Sequence, residues 1–507
     1  MKQKRMVVKC AEKTVEPVGL IIFGASGDLT SRKLIPSIFS LYKKENMNRN
    51  FFLMGCARTP LSDEKFREKV RSSIEKTNTK NVKELKSFSE RCYYTDGNYD
   101  DNNFYNTLKQ KIQDLMKKFS IKDIILYLAT PPVVYPVVVE KLGENRFCKD
   151  GQGSYRIVVE KPYGYDLDSA KQLDKKFRKY FQEEQIYRID HYLGKETVQN
   201  ILMFRFANGI FEPLWNRQYI DHVQVTISES LGLGHRAGYF NRSGIIRDMF
   251  QNHMMQMLSL AAMEPPISFE ADHVRDEKVK LLNSIRPYPI HEIGKWMVRS
   301  QYSKGTIDEQ TVPGYLEEED IPKTSETETF LATKLFIDNW RWQGVPFYMR
   351  TGKRLPKKVS EIIIVFKRIP YSMFKPGTGD DINPNILVIK VQPDEGIILT
   401  VQAKSPGAKF CMDEISLKFD YKEHFGIDFP DAYERLLLDV MLGDQTLFWR
   451  SDGVFASWSL ITPVLQAWEK NEKQNCPCSL SFYKAGEWGS KESIDLIQRD
   501  KREWLVL

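Results

Sequence analysis

Apolar and polar positions follow two different rhythms along the chain. From residue 18 to about 187, short unbroken apolar runs alternate with stretches that carry the helical 3.6-residue spacing. The runs predict strands at 19–23, 51–57, 124–129 and 155–159, and the intervening stretches predict helices near 31–44, 63–76, 101–118, 136–146 and 167–184. Strands apolar on both faces belong to a parallel sheet covered on both sides, so this half reads as a doubly wound α/β domain. From residue 188 strands follow one another: HVQVTISES, LATKLFIDNW, SEIIIVF, NILVIKVQP, GIILTVQ and ISLKFDY. Short polar turns join several of them, which predicts an α+β domain with a mostly antiparallel sheet and helices on one face. The expected domains are therefore 1–187 and 188–507. Gly244 to Met263, GIIRDMFQNHMMQMLSLAAM, reads as the major helix of the second domain, and Glu317 to Glu328, EEEDIPKTSETE, as a charged, solvated connection.

Composition narrows the functional classes. The 507 residues are 42% hydrophobic, enough for large cores, and 74 Lys and Arg against 67 Asp and Glu give a net charge of +7. That mild excess is spread along the chain and suits acidic small molecules. Neither a recognition helix nor a basic-aromatic block points to nucleic acid. Seven scattered cysteines argue against a disulfide framework and for a reducing compartment. Cys476 and Cys478 form the one close pair, a poor metal site without a second pair or nearby histidines, so no metal is expected. The basic N-terminus lacks an apolar core segment, and no run is long enough to span a membrane, which makes the cytoplasm the expected location.

Two segments carry candidate chemistry. Val18 to Glu45 reads as a buried strand, a glycine turn and an amphipathic helix, the arrangement that offers backbone amides to a pyrophosphate. Gly24 and Gly27 make the turn, but its spacing is G-x-x-G-D-L, with Ser26 and Leu29 at the second and third positions of the usual glycine pattern. The strand FFLMGCAR ends in Arg58 and Thr59 with no acidic residue, which favours NADP over NAD. The run Arg188 to Glu196, RIDHYLGKE, packs a carboxylate (Asp190), an imidazole (His191), a point cation (Lys195) and a turn glycine (Gly194) into nine positions, a set able to hold a phosphorylated sugar and ionise a hydroxyl. On the long helix Asp248 and His253 lie five apart, with Gln251 and Asn252 between them. A histidine there is either a satisfied core residue or, with a carboxylate such as Asp190 fixing its tautomer, a general base. Lys353 and Lys358, in TGKRLPKK, read as a basic surface turn or, with Lys195 and His191, as the surround of a phosphate dianion.

RIDHYLGKE, GASGDL, EKPYG and GIIRDMFQNH, in this order and spacing, resemble the glucose-6-phosphate dehydrogenase family over nearly the whole chain. PDAYERLLLDVMLGD, at 430–444, resembles the family's C-terminal half. The resemblance implies a Rossmann-like first domain and oxidation of glucose 6-phosphate at C1 with hydride transfer to NADP, the first step of the oxidative pentose phosphate pathway. It implies His253 and Asp190 as the catalytic dyad, with His191, Tyr192, Lys195 and Lys358 on the sugar phosphate and Glu229, Asp248 and Lys353 on sugar hydroxyls. Lys33 and Lys161 match lysines lining the active site, Lys161 between sugar and nicotinamide. Gly24, Ser26, Gly27, Asp28 and Leu29 match the cofactor turn, Arg58 matches the 2'-phosphate arginine, and a homodimer or homotetramer is implied. The alternatives are a non-catalytic sensor of phosphosugar or dinucleotide, for which a general base has no use, and a dehydrogenase of another sugar phosphate. Thr30 and Tyr163 depart from the family's most frequent residues in ways that read as neutral. Two basic positions that animal members associate with a second, structural NADP are Ile363 and Thr400 here, so the resemblance does not extend to that site.

Overall fold

The computed structural model describes residues 15–76, 82–148, 154–372, 382–407, 412–426, 430–469 and 479–506, so Cys476 and Cys478 lie outside the described residues. By its contacts the chain forms two compact units, one of Met1–Tyr163, Gln172–Gly194 and Pro430–Trp449, the other of Gly164–Lys171, Lys195–Phe429 and Arg450–Leu507. A single cut after residue 187 does not describe this division. One boundary falls inside RIDHYLGKE, and the segment after Pro430 belongs with the first unit because the helix Ala432–Leu442 packs on the helix Ile35–Lys43.

In the first unit six strands, β1 (Val18–Phe23), β2 (Phe51–Ala57), β3 (Cys92–Asp96), β4 (Asp123–Leu128), β5 (Tyr155–Val159) and β6 (Ile186–Arg188), pair in parallel in the order β3-β2-β1-β4-β5-β6. Every residue of β1 and β2 is buried, as their unbroken apolar runs require. This is the Rossmann-like strand order, and its direction reverses between β1 and β4, where a crevice opens at the carboxyl ends. The edge strands β3 and β6 were not expected, nor was the helix Val82–Ser89. CYYTD is short and partly polar, and β6 has only three residues. Local chemistry sets the helix ends: the Ser62 hydroxyl accepts from Lys65 N at 3.3 Å, Asp101 caps Asn102–Phe119, and left-handed Ser120 (φ 54°) closes that helix. The helix expected at 31–44 begins as a π-helical turn, Thr30–Leu34, before Ile35–Lys43.

The second unit holds β7 (Ile220–Ser228), β8 (Met297–Ser303), a small hairpin of β9 (Gly305–Ile307) and β10 (Gln310–Val312), β11 (Phe330–Phe336), β12 (Pro346–Gly352), β13 (Val359–Phe366), β14 (Ile386–Gln392), β15 (Gly396–Lys404), β16 (Met412–Asp420) and β17 (Ser481–Lys484). Nine of these form one sheet in the order β16-β15-β14-β13-β7-β12-β11-β8-β17, antiparallel except for β7 with β12 and β8 with β17. The parallel β7–β12 pair brings Ser228 and Gly352 to the same end of the sheet. The run read as a helix over 244–263 is one continuous helical stretch from Ile246 to Ala262, set off from the helix before it at Gly244. Gly244 (φ 67°, ψ 173°) breaks from Ala237–Ile245, and the chain then winds as a π-helix over Ile246–Met254 and as an α-helix over Met255–Ala262. The segment 317–328 is not simply solvated either: Glu318 pairs with Arg354 at 3.3 Å and Glu328 is buried. Ile363 lies in an apolar cluster with Val365 and Val388, against which Leu505 packs, and Thr400 is buried. Among the described residues no helix is long and apolar enough to cross a membrane.

Candidate active site

At the carboxyl end of β1 the chain turns so tightly that only glycine fits. Gly24 has φ +88°, and a Cβ there would lie 2.5 Å from the Ala129 carbonyl oxygen at the end of β4. Its amide donates to Cys56 O (2.8 Å) and to the Tyr99 hydroxyl (2.9 Å), and its carbonyl accepts from the Thr30 hydroxyl at 3.1 Å. Thr30 is fully buried, and its hydroxyl ties the turn to the helix start. Gly27 N donates to Gly24 O at 2.9 Å, and Ser26, Gly27 and Asp28 are exposed on the turn. Lys69 donates to Ser26 O at 2.7 Å, a cation at the turn that strand-and-glycine reasoning had no means to find. Arg58 is exposed immediately after β2, and its charge reaches Tyr99, whose hydroxyl burial pushes up to about 12 against that influence. A turn that a Cβ would fill, at the β1/β4 reversal and beside two cations, fits a dinucleotide diphosphate.

The end of β6 is held from several sides. Arg188 is buried with 2.6 Å ion pairs to Asp174 and Glu183, and the Tyr163 hydroxyl donates to the same Asp174 at 3.0 Å. Burial alone would lower the pKa of Arg188, but Tyr163, Glu183 and Asp174 hold it well above the usual arginine value. Tyr163 therefore has a polar role that phenylalanine lacks. Asp190 is 1% exposed and its Oδ1 accepts from Tyr192 N at 2.9 Å, closing the tight turn in which Tyr192 is buried and His191 half-buried. A Cβ on Gly194 would collide with the Ala432 backbone. The same returning segment brackets His191, whose ring stacks on Tyr433 with centroids 6.2 Å apart and planes 7° apart. Tyr433 also hydrogen-bonds half-buried Glu160, which accepts from Tyr127 at 2.6 Å and whose pKa is raised by its desolvation. Lys161 follows Glu160, half-buried at the carboxyl end of β5, and Lys33 pairs with Asp431 at 2.6 Å.

In the second unit, Glu229 and Lys353 leave the ends of neighbouring β7 and β12 and meet in an ion pair at 2.5 Å. Glu229 N donates to Gly352 O at 3.0 Å, and the Lys353 ammonium also sits 4.9 Å from the Phe240 ring centroid. Asp248 is 5% exposed with Arg236 4.0 Å away, and its charge adds to the burial that pushes the Tyr239 hydroxyl up to about 12. His253 is fully buried, and the Asn252 side chain accepts from its backbone amide at 2.5 Å. Lys195 begins the helix Glu196–Phe206 and donates to Gln392 at 2.5 Å, while Lys358 stands exposed just before β13.

Comparison with known proteins decides the family. Residues 21–200 match the family model for the NAD binding domain of glucose-6-phosphate dehydrogenase and residues 202–505 match its C-terminal domain. The chain belongs to the glucose-6-phosphate dehydrogenase family. Glucose-6-phosphate 1-dehydrogenase of Aggregatibacter actinomycetemcomitans is 45% identical over 96% of both chains, and that of Chlamydia pneumoniae is 44% identical over 98% of this chain and 97% of its own. A solved glucose-6-phosphate dehydrogenase in complex with its substrate glucose-6-phosphate superposes with a TM-score of 0.88 at 37% identity, covering 98% of this chain and all of that one. The Mycobacterium avium enzyme does so at 0.81 and 29%, over 97% and 99% of the two chains. Within the glucose-6-phosphate dehydrogenase frame, sequence reasoning missed Lys69, Asp431, Tyr433 and Glu328. The weak signal for two of them was PDAYERL itself, an acidic helix cap followed by an aromatic residue.

Proposed function

We infer that the chain oxidises D-glucose 6-phosphate at C1 to 6-phospho-D-glucono-1,5-lactone with NADP as hydride acceptor, opening the oxidative pentose phosphate pathway. The observation that carries this is agreement along almost the entire length with a glucose-6-phosphate-bound structure, in a chain that retains RIDHYLGKE and a fully buried His253. His253 takes the proton of the C1 hydroxyl as the hydride leaves C1, and Asp190 orients the imidazole and stabilises its charged form. His191, Tyr192, Lys195 and Lys358 hold the phosphate dianion. Glu229, Asp248 and Lys353 hold the sugar hydroxyls, the Glu229–Lys353 pair offering acceptor and donor together. Lys33 lines the site and Lys161 stands between the sugar and the cofactor. Gly24, Ser26, Gly27, Asp28 and Leu29 hold the pyrophosphate, with Arg58 on the 2'-phosphate, and NADP so held supplies the hydride-accepting nicotinamide. Absorbance of reduced nicotinamide, followed with a panel of sugar phosphates and both cofactors, tests the reading. Reduction should require glucose 6-phosphate and run best with NADP; a panel in which another sugar phosphate is preferred overturns the substrate assignment.

Lys195→Ala should raise KM for glucose 6-phosphate on the order of tenfold, since loss of one charged hydrogen bond of about 1.5 kcal/mol weakens ground state and transition state alike. A direct titration showing unchanged affinity would remove Lys195 from the phosphate site.

The protein works in the cytoplasm as a homodimer or homotetramer. The end strand β16 leaves Met412, Ile415 and Leu417 40%, 43% and 56% exposed, and apolar side chains left in water at the outer end of the large sheet are surface that a second copy can cover. Light scattering at micromolar concentration should give at least twice the monomer mass; a monomer there contradicts the assembly.

A further inference from the structure

Glu328 sits at the end of a charged, loop-like stretch, yet it is 6% exposed. Its two polar ends both serve the helix that carries Asp248 and His253. The Glu328 carbonyl accepts from Ile245 N at 3.0 Å, and its carboxylate oxygen Oε1 accepts from Ile246 N at 3.3 Å. Gly244, just before, takes φ 67°, and a Cβ there would overlap the Glu328 carboxylate, so the turn and the acid occupy complementary space. The first amides of a helix have no partner within it, and a side-chain oxygen placed there accepts from them. No residue at the start of this helix caps it with its own side chain, so the acid comes from 82 residues away in sequence.

The next residue continues the link. Thr329 O accepts from Lys353 N at 3.0 Å, and Thr329 N donates to Ser300 O at 2.9 Å on β8. One dipeptide at the head of β11 thus grips the helix bearing Asp248 and His253 and the chain segment bearing Lys353. Burial raises the pKa of the Glu328 carboxyl, while the backbone amides and the charges of Arg247 and Arg299 oppose that shift.

We propose that Glu328 is a positioning residue for the reaction: by capping the helix at Ile246 it fixes Asp248 and His253 in register with Lys353. This rests on the assignment of those three residues made above. The acid touches none of the reacting groups, and its effect passes through the backbone it holds.

Three variants test it against a His253→Ala control, with kcat scaled to the folded fraction measured by circular dichroism and KM read directly. Glu328→Gln keeps an acceptor oxygen at the same reach and should retain at least half of the wild-type kcat. Glu328→Ala loses the acceptor, and Glu328→Asp keeps the charge but withdraws it by one methylene. Both should lose kcat about tenfold, short of the hundredfold that a roughly 1 Å misplacement of reacting groups can cost. If Glu328→Ala does not fold, the Asp and Gln variants decide alone. Wild-type kcat in both the Ala and Asp variants, or in Asp alone where Ala is unfolded, beside an inactive His253→Ala, overturns the positioning role and leaves the site assignment standing. A Gln variant as impaired as Asp also overturns it, because the cap needs an acceptor and not a charge. Near wild-type turnover in His253→Ala would instead overturn the site assignment on which the inference rests.

Discussion

Turnover of His253→Ala with glucose 6-phosphate and NADP should fall by a factor on the order of 10² to 10⁴, while affinity for the sugar phosphate stays close to wild type. The C1 hydroxyl cannot give up its hydride readily while it keeps its proton, and water is a poor substitute base in a buried site. His253 is fully buried on a helix whose neighbours Phe250, Met254, Met255 and Met257 are buried too, so truncation to alanine also leaves a cavity. His253→Asn separates the two effects, because it keeps most of the volume and a polar group but has no useful basicity. Both variants should show the same loss of kcat, with the alanine variant alone losing thermal stability. Steady-state rates, together with calorimetric titration of the sugar phosphate, check this; near wild-type turnover in the asparagine variant would take His253 out of the chemistry.

The second large effect concerns cofactor choice. Arg58→Ala should weaken NADP by about 1.5 to 3 kcal/mol, the scale of a hydrogen bond to a charged group, and leave NAD nearly unchanged. Arg58 is exposed directly after β2, and no acidic residue closes that strand to favour a ribose hydroxyl or repel a phosphate. Both cofactors share the pyrophosphate and the nicotinamide, so the ratio of their kcat/KM values isolates the 2'-phosphate. A ratio that does not move would point to a different cation, and Lys69, bonded to Ser26 O at 2.7 Å, is a candidate at the turn.

The central strands were readable because burial on both faces leaves an unambiguous apolar run, as in LIIF of β1 and FFLMGCA of β2. Edge strands carry no such signature. β3, β6 and β17 contain Thr, Arg, Ser or Lys, and their partners across the sheet, not their own composition, decide their conformation. At the site, RIDHYLGKE and the glycine turn were legible because charge and turn chemistry are local. The start of the helix at Gly244 was legible too, but its cap was not, since the acid that accepts from Ile246 lies 82 residues away. The partners of Tyr163 and Thr30 were out of reach for the same reason: nothing in the sequence beside either hydroxyl points to Asp174 or to the Gly24 carbonyl.

The late return of Pro430–Trp449 to the first unit also sets an order of events during synthesis. Lys33 waits for Asp431 across 398 residues and Lys44 for Glu434 across 390. At roughly 5 to 20 residues per second, that interval is about 20 to 80 s on the ribosome. Throughout it the helix Ile35–Lys43 lacks the Ala432–Leu442 helix that packs on it, and His191, once made, lacks Tyr433. A nascent chain cut off before Pro430 therefore carries six parallel strands with an apolar helix face in water, a species suited to chaperone capture. The nucleotide-holding half begins first and is completed only after most of the other half has left the ribosome.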